Sequence, residues 1–76
     1  MTSNIEMKIK NLMSVVFNIA VDDINKDSTS DTIKNWDSLT QIRLVALLEE
    51  EFDLEFSGSE IMEVMSFKSI YKRIKG

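Results

Sequence analysis

The stretch NWDSLTQIRLVALLEEEF, residues 35–52, decides how the rest of the chain is read. From Leu39 onward, Ile42, Val45, Ala46, Leu48 and Phe52 recur at helical spacing, and Leu44 and Leu47 widen the apolar stripe. Ser38 stands three residues before Gln41, the spacing of a capping box that opens a helix. Asp37 can take the capping role as well, which would release the Ser38 hydroxyl. As a catalytic nucleophile Ser38 lacks a base, because the chain contains no histidine. Nor does WDSLT have the glycine-flanked elbow of a hydrolase.

The same signals recur on either side. Ser3–Glu6 and Ser57–Glu60 match the capping box, and Ser66 precedes another apolar-periodic stretch. Ile5, Ile9, Leu12, Met13, Val16 and Ala20 mark a first helix. Ile61, Val64 and Met65 mark a short third, and Phe67, Ile70, Tyr71 and Ile74 a fourth. No stretch alternates apolar and polar residues beside hairpin-turn signals, so the expected fold is all-α. The chain should form one small domain over residues 1–76. Residues 21–36 form a long polar connection, pinned to the bundle through Ile24, Ile33 and Trp36. Connections of this length often serve function.

Composition narrows the chemistry. A chain of 76 residues buries only about 60% of its unfolded surface, so its core is marginal. Without cysteine or histidine, only oxygen-ligand metal sites remain possible. Asp23, Asn25, Asp27 and Asp31 follow the spacing of a calcium loop. However, Ser28 replaces the turn glycine and Lys34 the bidentate glutamate, so no metal site is expected.

Residues 37–63 carry eight acids against Arg43 alone, which disfavours nucleic acid and suits basic protein partners. Lys68, Lys72, Arg73 and Lys75 fit the C-terminal end of a last helix, where the helix dipole favours cations. Lys8 and Lys10 precede LMSVVFNIAV, but Glu6, Ser14 and Asn18 interrupt any signal-peptide pattern. No run reaches the ~20 apolar residues of a membrane span. A monomeric cytoplasmic protein without membrane insertion is expected.

DSL followed by a helix ending in LEEEF, inside a four-helix chain of this size, resembles an acyl carrier protein. The resemblance covers nearly the whole chain. It implies a carrier rather than an enzyme. Ser38 would be the attachment point of phosphopantetheine, transferred from coenzyme A by a phosphopantetheinyl transferase (holo-carrier synthase). Acyl groups would ride on the arm's thiol as thioesters between acyl-loading and acyl-processing enzymes. This suits a chain without cysteine, since the reactive sulfur is imported. The pathway would be fatty-acid or specialised biosynthesis of secondary metabolites or surface polysaccharides.

The resemblance also assigns Asp37 to the motif, and Leu39, Thr40, Arg43, Ala46, Glu49 and Glu50 to the partner-facing side of the second helix. It assigns Ile42, Leu48, Phe56, Ile61 and Val64 to an acyl pocket that must in any case be core. Phe56 implies a shallower pocket, Ser30 weakens one wall, and Met62 and Met65 can adapt to varied contents. Thr40, Arg43 and Gly58 stand where fatty-acid carriers typically have acids, and Trp36 resembles stand-alone specialised carriers. A stand-alone aminoacyl or peptidyl carrier is the nearest alternative, although such carriers often have glycine before the Asp-Ser pair. A helical interaction or calcium-binding module without a prosthetic group is more remote.

Overall fold

The computed structural model describes residues 3–75. Four helices follow one another: α1 (Ser3–Phe17), α2 (Ser38–Phe52), α3 (Gly58–Glu63) and α4 (Phe67–Lys75). Among the described residues there is no strand, only an isolated antiparallel bridge between Thr29 and Ser66. The all-α expectation therefore holds.

Helix ends follow local chemistry. Ser57 caps α3, accepting from the Glu60 N–H, while the Glu60 carboxylate accepts from the Ser57 N–H. Ser66 caps α4, its hydroxyl accepting from the Ser69 N–H at 3.1 Å. Asn18 and Asp53 adopt φ of 56° and 54°, the left-handed backbone that ends α1 and α2. Ala20, expected on the first helix, lies beyond that stop and is exposed. Val64 and Met65 likewise follow α3 rather than belonging to it. The expected Ser3–Glu6 box rests on a side chain outside those described.

The core is apolar side chains from three of the helices and from the three connections between helices. Ile9, Met13, Val16 and Phe17 of α1 meet Leu44, Val45 and Leu48 of α2 and Phe67 and Ile70 of α4. Ile24, Ile33 and Trp36 are buried from residues 21–36, as expected of the residues that pin this connection, and Phe56 and Val64 are buried from either side of α3. Residues 21–36 are far from structureless. They hold a 3₁₀ turn at Val21–Asp23 and then pair with the start of α4. The Phe67 N–H donates to the Ser28 carbonyl at 2.9 Å, and the Ser30 N–H to the Met65 carbonyl at 3.0 Å. The connection is thus a packed layer that delivers Trp36 to the N-terminus of α2.

In α4, Lys72, Arg73 and Lys75 occupy the last turn, where cations complement the dipole. Arg73 does more. It donates to the Glu60 carboxylate and to the Glu55 carbonyl, and its guanidinium lies 4.9 Å from the Phe56 ring centroid. The short α3 is held to α4 from this side.

Candidate functional site

The N-terminus of α2 is built by Asp37, not by Ser38. The Asp37 backbone is extended, and its Oδ1 accepts from the Thr40 N–H at 3.0 Å. The Thr40 hydroxyl accepts in return from the Asp37 N–H at 2.8 Å, completing a capping box. The expected Ser38–Gln41 box is therefore corrected by one position. Both pairs have the same spacing, but only Asp37 has the non-helical backbone a cap requires. Ser38 is the first helical residue and exposed, and among the described residues its hydroxyl makes no hydrogen bond.

Two anchors hold this turn. The Asn35 side-chain amide donates to the Phe17 carbonyl at the end of α1, at 2.8 Å. The Trp36 indole packs on Phe17 with ring centroids 4.7 Å apart, and its N–H donates to Gln41 Oε1. Gln41 is 2% exposed, and its amide donates to the Ile61 and Val64 carbonyls at 2.6 and 3.1 Å. It lies on the buried stripe of Gln41, Leu44, Val45 and Leu48. A polar residue on that apolar stripe was the legible signal of a buried hydrogen-bonded group, masked by the false capping box.

The Thr40 N–H, and then the Thr40 hydroxyl, hold the Asp37 carboxyl below the usual carboxylate range. A carboxylate whose pKa is lowered on folding stabilises the fold above its unfolded pKa. That contribution is lost as pH falls through the lower folded value. Asparagine caps comparably without titrating. The Tm difference between wild type and Asp37→Asn should therefore stay constant from neutrality to about pH 4 and shrink below it. Thermal unfolding of both proteins across an acid pH series measures this, and parallel curves throughout would remove the carboxylate from the cap.

The proposed partner-facing residues divide. Leu39, Arg43, Ala46 and Glu50 are exposed along one side of α2, Leu39 at 66%. Among the described residues Arg43 forms no ion pair. Thr40 is committed to the cap, and Glu49 is half-buried, its carboxylate accepting from the Phe56 N–H at 2.8 Å. The expected pocket set also divides. Leu48, Phe56 and Val64 are buried and Ile61 packs against them. Ile42, expected in the core, is instead 60% exposed, because it follows buried Gln41 and so turns about 100° off the buried stripe.

In the connection, Asn25 Oδ1 accepts from the Asp27 N–H at 2.8 Å, and Asp27 faces Lys68 at 3.8 Å. The Asn25 oxygen serves the loop's own turn, and the Asp27 carboxylate faces α4. Among the described residues no helix is long and apolar enough to cross a membrane.

Comparison with known proteins agrees with this geometry. The family described as the phosphopantetheine attachment site matches residues 8–74. The chain is 36% identical over 58 residues to the acyl carrier protein of Buchnera aphidicola subsp. Schizaphis graminum (strain Sg), covering 76% of this chain and 73% of that one. It is 33% identical over 72 residues to the acyl carrier protein of Buchnera aphidicola subsp. Baizongia pistaciae (strain Bp), covering 95% of this chain and 92% of that one. A match over most of the chain, with the helical order those residues adopt, places it among carriers rather than catalysts: the chain belongs to the acyl carrier protein family, whose prosthetic group is covalently attached phosphopantetheine.

Proposed function

We propose that this protein carries acyl intermediates as thioesters on a phosphopantetheine arm attached to Ser38, and passes them between the enzymes of a biosynthetic pathway. The observation that carries the reading is the division of labour at α2. Asp37 and Thr40 close the helix end, leaving the Ser38 hydroxyl exposed and unengaged. The residues present fit the group. A phosphate on Ser38 Oγ would sit at a helix N-terminus, where N–H groups and the dipole favour an anion. The neighbouring Asp37 charge is already engaged by the Thr40 N–H. When bound, the arm supplies the thiol that this cysteine-free chain lacks. The chain's own residues hold the attachment turn rigid through Asn35 and Trp36 and offer the exposed side of α2 to partners. Incubation with coenzyme A and a broad-specificity phosphopantetheinyl transferase should add the mass of one arm, read by intact-protein mass spectrometry. No gain with an active transferase would overturn the reading.

The partner surface favours a specialised pathway over housekeeping fatty-acid synthesis. Leu39 and Ile42 are exposed beside the attachment point, and Arg43 puts a positive charge on the same stretch. A partner whose basic patch is built for an acidic helix meets repulsion there. Rim charges act mainly on association rate and are screened by salt. Arg43→Glu should therefore speed loading by generic fatty-acid enzymes roughly threefold at low salt, with the gain vanishing at high salt. Stability should change by less than about 0.5 kcal/mol. Initial loading rates across a salt series, with thermal unfolding as control, test this. Equal rates at every salt would place Arg43 outside the recognition surface. The compartment is proposed to be the cytoplasm, and the working form a single-domain monomer, which sedimentation would check.

A further inference from the structure

We propose that Gln41 is a latch that sets the shortest acyl chain this carrier can shelter, so that shorter or polar cargo rides in solvent. The inference rests on the reading of Ser38 as the attachment point.

A hydrocarbon tethered at the start of α2 gains free energy by leaving water. The nearest apolar interior lies along the seam between α2 and α3, beneath the first turn. Gln41, one turn beyond Ser38, closes that seam. Its amide donates to the Ile61 carbonyl at 2.6 Å and the Val64 carbonyl at 3.1 Å, while its Oε1 accepts from the Trp36 indole N–H. All the hydrogen-bonding capacity of its N–H groups is used, and no buried side-chain polar atom among the described residues lacks a partner. The two carbonyls belong to the end of α3, where a helix has no backbone donors left for them. One side chain from α2 therefore caps the end of α3 and fixes the indole that precedes the attachment motif.

The seam is also filled. Gln41, Leu48 and Val64 are 2%, 0% and 4% exposed. The cleft that touches Val64 lies toward α4, walled by Glu60, Glu63, Ser69, Lys72 and Arg73. A chain that follows this seam from Ser38 must part α3 from α2, which breaks the Gln41 bonds. From the far side, the Arg73 contacts with Glu60 and the Glu55 carbonyl resist the same motion. Three hydrogen bonds, two of them buried, balance the burial of roughly four methylene groups. Acyl groups shorter than that stay outside, and longer ones open the seam.

The test loads the full chain with straight-chain acyl groups of stepwise increasing length, from acetyl to decanoyl, using synthetic acyl-coenzyme A and a broad-specificity transferase. Intact mass reports loading, and the indole N–H resonance of Trp36 (the only tryptophan) reports the latch. In wild type the resonance should hold still until the chain exceeds roughly four methylenes, then move. In Gln41→Met, which keeps the volume but not the bonds, it should move from the shortest apolar chains. Before loading, the indole N–H of Gln41→Met should exchange with solvent on the order of tenfold faster than in wild type. A gradual shift from acetyl onward in wild type overturns the latch, as does no shift with decanoyl. If Gln41→Met does not fold, the wild-type series alone decides. If no mass is gained, the carrier reading itself fails, and equal indole exchange in the unloaded proteins then separately removes the latch.

Discussion

Replacing Ser38 by alanine should abolish attachment of the arm completely, while leaving the fold within about 0.5 kcal/mol of wild type. The two halves of this result have different origins. Loss of attachment follows because Ser38 offers the exposed hydroxyl at the first position of α2. Retention of the fold follows because the cap is Asp37, whose carboxylate and backbone are both bonded to Thr40. Alanine is also the best helix former, so the first turn loses nothing by propensity. Mass spectrometry after incubation with coenzyme A and transferase reads the first half, and thermal or urea unfolding the second. A modified alanine variant would move the attachment point elsewhere. A stability loss of about 1 kcal/mol or more would mean that Ser38 caps the helix after all.

Trp36→Ala should be among the most damaging single changes to the fold, costing about 3–5 kcal/mol. The indole is 5% exposed, packs on Phe17, and pins residues 21–36 against the bundle. Removing it leaves a cavity, strands Gln41 Oε1, and loosens the entry into α2. At 0.05–0.15 kcal/mol per residue, a chain of 76 residues has roughly 4–11 kcal/mol in total. The loss is a large fraction of that total, so the urea midpoint of the variant should fall steeply. Trp36→Phe keeps a ring on Phe17 but removes the N–H, and should cost only about 1–3 kcal/mol. Urea unfolding followed by circular dichroism separates the two, and equal losses would show that the hydrogen bond, not the packing, is what matters. Attachment at Ser38 should slow in Trp36→Ala in proportion to the unfolded fraction, because the transferase needs the turn that Trp36 holds.

Helix content and the starts of α3 and α4 were legible from residue order. Periodicity acts over one turn, and Ser57 and Ser66 cap through contacts three residues away, so no distant part of the chain has to be known. The burial of Ile24, Ile33 and Trp36 was legible for the same reason: isolated large apolar residues in a polar segment have few places to go. Local spacing failed where two local solutions competed. Asp37–Thr40 and Ser38–Gln41 are both allowed boxes, and the backbone chose between them because Gln41 was needed elsewhere.

What only the tertiary structure decided is where Gln41, Glu49 and Ile42 point. Gln41 satisfies carbonyls 20 and 23 residues away, Glu49 closes on the Phe56 N–H, and Ile42 turns outward beside the attachment point. Each of these depends on how α2 packs against the rest of the chain. That packing is fixed by groups far apart in the chain, whose distances no sequence pattern of short period encodes. The sequence by itself determined a four-helix chain of the acyl carrier family. The packing of its shortest helix determined which side of α2 stays exposed and how tightly the interior is closed.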